Sequence, residues 1–218
     1  GEPVQYILGT TEFMGLEFKV DKRALIPRPE TEILVEQALG KLKATGVVSP
    51  KILDCGTGSG CIAVTIARLL PQADVWASDI SFEALQLAEE NAGLNNVKVK
   101  FRQGDLFNAL KFGSSRFDLI ISNPPYLSTR ELNSLAKEIS FEPVLALDAG
   151  VEGLDFYRRI ISQAPAHLEK GGLLVFEVGI NQADSVKELL EKEGFDDLEI
   201  IKDYNNIPRV VMARKRNV

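Results

Sequence analysis

Short apolar runs alternate with helix-length segments from residue 51 to residue 214. Strands separated by helices form βαβ units, which give a mainly parallel sheet with helices on both faces. The pattern therefore predicts an α/β fold, and the length of 218 residues suits one domain of that kind. We predict strands over 51–55, 74–79, 97–101, 117–122, 173–178, 198–203 and 209–214. We predict helices over 60–70, 81–92, 153–168 (stopped by Gly171-Gly172) and 181–193, with mostly loop over 123–150.

The segment before this alternation has a different character. Residues 1–9 have the composition of a linker, and the apolar positions of residues 12–20 alternate as in a short β-hairpin. A helical pattern then begins at Pro29, a residue that suits the first position of a helix. We therefore divide the chain into a linker with a hairpin, residues 1–28, and a main domain, residues 29–218.

Composition narrows the classes of function. The formal net charge is −6, which is weak evidence against a nucleic-acid-binding protein. The apolar runs are too short for a membrane-spanning helix, and the first residues lack the pattern of a signal peptide. Cys55 and Cys61 fit no zinc or redox spacing, so we expect reduced thiols, no metal and a cytoplasmic protein. The only histidine, His167, disfavours a catalytic Ser–His or Cys–His pair.

A glycine-rich loop, "DCGTGSG" over residues 54–60, joins the first strand of the alternation to its helix. Glycines allow positive φ angles and let a ligand lie against bare backbone. The spacing is G-x-G-x-G, and Cys61 stands where a dinucleotide-binding fingerprint needs its third glycine. No Gly-Lys-Ser/Thr sequence follows, so a P-loop is excluded. The loop is predicted to bind a ligand, and a turn that serves only tight packing is the alternative.

Acidic residues follow the next two strands. Asp79 ends the second strand, where a carboxylate can accept hydrogen bonds from both hydroxyls of a ribose. The competing interpretation of Asp79 is an N-cap of the following helix or a solvated acid. Asp105, after the third strand, could lie beside an adenine ring together with Leu106, or it could serve only a turn after Gly104. The glycine loop and Asp79 together predict a nucleoside site at the carboxyl ends of the strands.

The run "NPPY", residues 123–126, follows the fourth strand. Two prolines can simply end a strand, because each fixes φ and lacks an N–H. Alternatively, the Asn123 side-chain oxygen and the Pro124 carbonyl can accept hydrogen bonds from a planar NH2 group, with the flat ring of Tyr126 against it. The lone pair of such a nitrogen is delocalised. Two rigid acceptors would localise electron density on the nitrogen and stabilise the positive charge that grows during group transfer.

Together these features resemble the class I S-adenosylmethionine-dependent methyltransferases. That cofactor carries a ribose and an adenine but no phosphate, which explains a glycine loop with neither a lysine nor a third glycine. The resemblance implies a mainly parallel seven-stranded sheet with helices on both faces, here preceded by a short β-hairpin. It also implies that residues 29–218 form the methyltransferase catalytic domain and that Asn123 faces the transferable methyl group.

Longer stretches resemble one family, the PrmC/HemK glutamine-N5 methyltransferases of peptide chain release factors. The similar stretches are "GEPVQYILGTTEFMGLEFKVDKRALIPRPETEILVEQAL", "ILDCGTGSGCIAVTIA", "IISNPPYLS", "EPVLALDAGVEGLDFYRRII" and "GGLLVFEVG". The resemblance implies methylation of the glutamine in the release factor GGQ loop, with S-adenosylhomocysteine as by-product. Family members carry a helical domain before the segment that starts at Gly1, so we expect this chain to keep the chemistry and lose part of the recognition.

The resemblance also assigns roles to residues. The family's cofactor contacts fall on Gly56, Thr57, Gly58, Ser59, Gly60, Asp79 and Asn123. Asp105 and Leu106 are expected beside the adenine, although relatives often have an aromatic residue at the second position. The catalytic and glutamine-binding turn falls on Asn123, Pro124, Pro125 and Tyr126. The "IPRPETE" segment would cap the cofactor pocket with Arg28 and Glu30 as organisers, the alternative being a helix start with a solvated ion pair.

Two other functions stay open. Adenine-N6 methyltransferases of nucleic acid share the motif Asp/Asn-Pro-Pro-Tyr/Phe, but the net acidity and the lack of an inserted target-recognition domain disfavour them. A non-enzymatic subunit that binds the cofactor and activates a partner is disfavoured by the intact "NPPY" and glycine loop. We therefore expect a monomeric, cytoplasmic enzyme that acts on release factors, without a membrane or direct nucleic-acid contact.

Overall fold

The structure, a computed structural model, describes residues 1–110, 116–132 and 139–216. Its helices are α1 (Val4–Leu8), α2 (Pro29–Lys43), α3 (Cys61–Leu69), α4 (Phe82–Leu94), α5 (Thr129–Leu132), α6 (Asp155–His167) and α7 (Ala183–Glu193). Its strands are β1 (Thr10–Phe13), β2 (Leu16–Lys19), β3 (Lys51–Cys55), β4 (Asp74–Asp79), β5 (Lys100–Gln103), β6 (Phe117–Ser122), β7 (Leu168–Glu177), β8 (Asp196–Lys202) and β9 (Pro208–Arg214). Short 3-10 helices cover Leu106–Leu110, Ile139–Phe141 and Val144–Ala146.

Strands β3 to β9 form one sheet in the order β5-β4-β3-β6-β7-β9-β8. The neighbours from β5 to β7 run parallel, and β9 is antiparallel to both β7 and β8. The order reverses between β3 and β6, which is where open α/β sheets place their ligands. The predicted mainly parallel sheet is confirmed, and so is the preceding hairpin of β1 and β2.

Helices cover both faces of the sheet because the strand residues alternate between two apolar clusters. Ile52 packs with α2, α3 and the hairpin residues Phe13 and Phe18. Its neighbour Leu53 packs on the opposite face with α6 and α7, where Tyr157 is fully buried. Central strands that are buried on both faces are apolar at most of their positions, which explains the apolar runs over 52–53 of β3 and 119–121 of β6.

The first nine residues are not an extended linker. Helix α1 ends at the left-handed Gly9, with φ 76°, and its Tyr6 hydroxyl donates to the Ala24 carbonyl at 3.0 Å. These contacts hold the segment against residues 23–28, the strap that precedes α2. The division of the chain at residue 28 stays a prediction.

Two strand starts differ from the sequence prediction by three residues or more, whereas β8 and β9 begin two residues and one residue earlier than predicted. β7 begins at Leu168 instead of residue 173, so Gly171 and Gly172 lie inside a strand and do not stop a helix. They accommodate a register shift, with Gly171 at φ 71° and its N–H bonded to the Lys215 carbonyl at 3.1 Å. β5 begins at Lys100 instead of residue 97, because the chain before it still closes the end of α4.

The predicted loop over 123–150 contains α5 and two of the short 3-10 helices. Residues 133–138 of this segment lie outside the described residues, as do 111–115 and 217–218 of the main domain. The segment returns to the sheet edge through a bridge between Leu127 and Asp148. It therefore lies beside the "NPPY" turn.

Candidate active site

A cavity of about 1080 Å³, counted with the open space at its mouth, lies at the carboxyl edge of the sheet. The loops that follow β3, β4, β5 and β6 meet there, together with the strap before α2. The predicted site residues in its wall are Gly56, Thr57, Gly58, Ser59, Asp79, Asp105, Leu106, Asn123, Pro124 and Pro125. Gly60, Tyr126 and Glu30 are predicted residues that its wall does not include, whereas Arg28 is part of the wall. Most of the residues chosen from the sequence are thus brought together around one space.

The N–H groups of the glycine loop bond within the protein. Those of Gly56 and Thr57 both donate to the Ser78 carbonyl, at 2.8 and 2.9 Å, and that of Gly60 donates to the Thr57 carbonyl at 2.9 Å. The Gly58 N–H donates to Asp79 Oδ2 at 2.9 Å. A phosphate cradle needs such groups to point at the ligand. The loop therefore fits a ligand without phosphate.

Asp54, for which no role was predicted from the sequence, holds this loop and the start of α3 by hydrogen bonds. Its side chain is fully buried, and its Oδ2 accepts hydrogen bonds from the Thr57 hydroxyl at 2.5 Å and the Ala63 N–H at 3.2 Å. Burial raises the pKa of Asp54 to about 7. A charged residue inside the apolar run "KILDC" was the available sequence signal, because a buried strand tolerates an acid only where hydrogen bonds hold it.

Asp79 is held as a rigid acceptor at the cavity wall. Its Oδ2 binds the Gly58 N–H and its Oδ1 binds the Ser81 N–H, both at 2.9 Å. Each carboxylate oxygen has two lone pairs, so both oxygens can still accept a hydroxyl. The alternative role as a helix cap is wrong, because Ser81 is the N-cap of α4 and its side chain accepts from the Ala84 N–H. Burial raises the pKa of Asp79.

Asp105 and Leu106 form another part of the wall. The Arg159 guanidinium donates to Asp105 Oδ2 at 2.5 Å, which ties this turn to α6. Leu106 is buried at φ 50°, a left-handed conformation that a bulky side chain rarely adopts. Such strain persists where the surroundings force it and is common at ligand sites. Here it sets the Leu106 side chain against the cavity.

Gly60 serves packing. It stands at φ 82° immediately before α3, and a Cβ on it would lie 2.9 Å from the Ala88 Cβ of α4. Any side chain there would push α3 and α4 apart. For this residue the tight-packing alternative holds, whereas Gly56 and Gly58 line the cavity itself.

Asn123 stands at the cavity floor with its carboxamide held from behind. Its Nδ2 donates to the Thr31 hydroxyl oxygen at 3.2 Å, and that hydroxyl donates to Glu177 Oε2 at 2.6 Å. Thr31 and Glu177 are both 2% exposed. Because the NH2 end of the carboxamide is engaged with Thr31, its Oδ1 is the end left to accept a hydrogen bond.

Tyr126 sits beside the cavity and packs against the loop after β7. Its backbone carbonyl accepts from Gln182 Nε2 at 2.8 Å, and its ring lies close enough to Gly179 that a Cβ there would be 3.0 Å from Tyr126 Cδ2. Burial raises the pKa of Tyr126 to about 12, so the phenol stays neutral. These contacts fix the end of the "NPPY" turn.

The strap over residues 23–28 closes the cavity through a buried carboxylate. Arg28 forms an ion pair with Glu142, whose side chain is 2% exposed, and Glu142 also accepts from the Ile26 N–H at 3.3 Å. Pro143 and Leu145, next to Glu142, line the same cavity. The partner of Arg28 is therefore a buried residue on a distant loop, and a solvated ion pair within the helix start is not formed. Glu142 carried no signal in the sequence.

The thiols and the histidine do not form a catalytic group. Cys55 and Cys61 are buried free cysteines, and burial raises the pKa of each thiol to about 12. The His167 ring stacks on Phe107, with ring centroids 4.5 Å apart, outside the cavity wall. Residues 1–110, 116–132 and 139–216 contain no group of three or more His, Cys, Asp and Glu side chains that could hold a metal ion.

The cavity residues fit S-adenosylmethionine. The glycine loop offers bare backbone without a phosphate cradle, and Asp79 offers two oxygens with spare lone pairs for a ribose. Leu106 and Asp105 would lie beside the adenine. The methionine end would then reach toward Asn123 across the space that the strap covers.

Comparison with known proteins supports this fit. The family model described as "Methyltransferase small domain" matches residues 30–207. Release factor glutamine methyltransferase of Geobacter sulfurreducens is 47% identical over 214 residues, which are 98% of this chain and 73% of that protein. The enzyme of the same name from Thermodesulfovibrio yellowstonii is 44% identical over 216 residues, 98% of this chain and 77% of that protein. A solved structure, the release factor-specific protein-(glutamine-N5) methyltransferase from Alicyclobacillus acidocaldarius, is 33% identical with a TM-score of 0.56, and the match covers 91% of this chain and 99% of that one.

The fold, the cavity and the matching family model together define a class I methyltransferase that uses S-adenosylmethionine. Within that class, the chain belongs to the release factor glutamine methyltransferase family. The resemblance inferred from the motifs is thus confirmed.

Asp79→Ala is expected to weaken S-adenosylmethionine binding by about 1–3 kcal/mol, the scale for losing a hydrogen-bonded charged acceptor. Calorimetric titration measures this directly. Asp184→Ala, at an exposed acid in the first turn of α7, is the matched control and should bind as the wild type does. An unchanged dissociation constant in a folded Asp79→Ala variant would limit Asp79 to holding the Gly58 and Ser81 amides.

Proposed function

We propose that this chain transfers the methyl group of S-adenosylmethionine to the side-chain amide nitrogen of the glutamine in the GGQ motif of peptide chain release factors. One observation carries the proposal beyond family membership. The Asn123 carboxamide lines the same cavity as the glycine loop and Asp79, and its NH2 end is bound to Thr31, which leaves an oxygen to face a substrate NH2. A glutamine amide presents such an NH2 group.

S-adenosylmethionine supplies a methyl group bound to a positively charged sulfur. The residues of this chain supply the means to make an amide nitrogen attack it. The Asn123 Oδ1 and the Pro124 carbonyl accept the two N–H groups of the glutamine amide, which localises electron density on nitrogen and stabilises the charge that grows there. Pro124 and Pro125 hold these acceptors rigid.

No general base is needed in this scheme. An amide nitrogen that has gained a methyl group while still carrying both protons is a strong acid and releases one to water. This agrees with His167 lying outside the cavity wall. The contribution of the chain is therefore orientation and electrostatic stabilisation rather than proton abstraction.

The site is also proposed to act on protein and not on nucleic acid, in a monomer in the cytoplasm. The net charge of −6 and the two buried free cysteines support this assignment. No helix in the described part of the chain is long and apolar enough to cross a membrane.

A methyl-transfer assay with labelled S-adenosylmethionine tests the proposed function. Label is expected in an intact release factor, and it should be lost when the GGQ glutamine is replaced by alanine. A single-stranded adenine-containing oligonucleotide should stay unlabelled. Label on the oligonucleotide and none on the release factor would replace the proposal with adenine methylation.

A further inference from the structure

Two buried polar side chains and the half-buried Asn123, from distant parts of the chain, form one hydrogen-bonded row at the "NPPY" turn. Glu177 ends β7, Thr31 lies in the first turn of α2, and Asn123 follows β6. Because Ser122 pairs with Phe176, the next residues on the two strands stand side by side at the sheet edge. The Thr31 hydroxyl lies between them, 2.6 Å from Glu177 Oε2 and 3.2 Å from Asn123 Nδ2.

We propose that Thr31 and Glu177 are positioning residues that select one orientation of the Asn123 carboxamide, with Oδ1 toward the substrate nitrogen and NH2 toward Thr31. The inference rests on the proposed function, because it concerns the acceptor that the substrate amide meets. It assigns the two residues a role in catalysis that does not require either of them to touch the substrate.

The need for such a selection follows from the shape of asparagine. The oxygen and NH2 ends of a carboxamide are nearly the same size, so packing alone does not choose between them. If the NH2 end of Asn123 faced the substrate, its N–H donors would meet the N–H donors of the substrate amide, and no hydrogen bond could form. The productive orientation must therefore be fixed by hydrogen bonds from behind.

An ionised Glu177 carboxylate at the end of the row fixes which group donates and which accepts in each hydrogen bond. A carboxylate can only accept, so the Thr31 hydroxyl must donate its one proton to Glu177. The Thr31 oxygen is then left as an acceptor, and only the NH2 end of Asn123 can bind to it. A protonated Glu177 could instead donate to Thr31, whose hydroxyl would then be free to donate to the carboxamide oxygen and select the opposite orientation.

The charged and titratable groups around Glu177 come from several elements. They are Glu30 on α2, Arg209 on β9, Tyr126 after β6, Tyr157 on α6 and Cys61 on α3. Arg209 is itself bound to Asp203 at 3.1 Å. Burial raises the pKa of Glu177 to about 7, and the nearby Glu30 also raises it. The hydrogen bond from Thr31 and the charge of Arg209 lower it, and the nearby Asn123 carboxamide lowers it to a smaller extent.

Variants of Thr31 test the hydrogen-bonded row with little change of side-chain volume. Thr31→Val keeps the shape and removes the hydroxyl, so kcat on the release factor is expected to fall by about 10- to 100-fold, less than for loss of Asn123 itself. Thr31→Ser restores the hydroxyl and is expected to recover kcat to within about threefold of the wild type. Thr65→Val is the matched control, because Thr65 is a fully buried threonine on α3 whose hydroxyl has no hydrogen-bond partner in the described chain. It should keep the wild-type kcat.

The pH profile tests the direction of the row. In the wild type, single-turnover rates should fall on the acid side as Glu177 is protonated, with an apparent pKa near 7. Glu177→Gln cannot titrate, so its rate should be lower than that of the wild type at pH 8 and should lack this acid limb. A limb that persists in Glu177→Gln would overturn the role of Glu177. Equal kcat values for Thr31→Val and the wild type, with only the melting temperature changed, would overturn the role of Thr31.

A spectroscopic measurement separates this inference from the proposed function. The side-chain NH2 signals of Asn123, assigned by their loss in Asn123→Ala, should exchange slowly with solvent in the wild type and quickly in Thr31→Val, with S-adenosylhomocysteine present in both. This result is independent of which acceptor is methylated. If exchange is slow in the wild type but the wild type does not methylate the release factor, the proposed substrate is wrong and the inference stands. If exchange is equally fast in the wild type and Thr31→Val, the inference is wrong and the proposed function stands.

Discussion

Asn123→Ala is expected to lower kcat for release factor methylation by about 10²- to 10³-fold, the range for removing one preorganised electrostatic group from an active site. The variant loses the oxygen that accepts from the substrate amide, and the nitrogen lone pair returns to its delocalised state. The fold should survive because Pro124 and Pro125 still shape the turn, and Gln182 still holds its end through the Tyr126 carbonyl.

Single-turnover rates and melting temperatures on the same samples check this result. Asn108→Ala, at an exposed asparagine of the 3-10 helix after β5, is the matched control and should keep the wild-type rate. If the "NPPY" turn served only to stop a strand, Asn123→Ala would turn over at the wild-type rate and only its melting temperature would move.

The structure changes the expectation for Asn123→Asp. From the motif alone, aspartate should be better than alanine, since it keeps an acceptor in place and occurs in adenine-modifying enzymes. An aspartate has no NH2 group for Thr31, however, and it would place a second carboxylate beside buried Glu177. Two close carboxylates raise each other's pKa and oppose ionisation. We therefore expect Asn123→Asp to be as slow as Asn123→Ala at pH 8, with partial recovery in the double variant Asn123→Asp, Glu177→Gln.

The contrast between Asn123 and Thr31 shows what the sequence can and cannot predict. Asn123 follows an apolar strand and precedes two prolines, so the neighbouring residues in the sequence are enough to predict its position at the sheet edge. Thr31 lies in "PETE" and looks like any polar residue of a helix start. Its role depends on α2 packing against the ends of β6 and β7, which brings together residues 31, 123 and 177. No local sequence pattern predicts that these three residues come into contact.

Buried acids lie between these two cases. Asp54 and Glu177 each interrupt an apolar strand, which is a visible signal because a buried charge is costly unless hydrogen bonds hold it. The signal marks the residue but not its partner. The apolar periodicity predicted well where the strands end at the site. It misplaced the starts of β5 and β7, because backbone hydrogen bonds to α4 and to Lys215 decide where those strands begin.

The largest expected effect on stability concerns Glu177. Its pKa is raised from 4.5 in the unfolded chain to about 7 in the folded protein, chiefly by burial. The folded state therefore holds this proton more tightly, and the stability that the neutral acid provides is fully present below pH 4.5 and is lost as the pH rises through about 7. Glu177→Gln has no proton to lose, so its free energy of unfolding relative to the wild type should rise by about 3 kcal/mol between pH 4.5 and pH 8.

Urea denaturation of both proteins at several pH values measures this difference and cancels the titration of all other groups. Glu188→Gln, at an exposed acid on α7, should give a flat difference over the same range. Parallel curves for Glu177→Gln and the wild type would show that the folded state does not hold this proton more tightly. A variant that is more stable at pH 8 yet slower in methyl transfer would show that the carboxylate is kept at a cost in stability, as expected for a group that orients a catalytic residue.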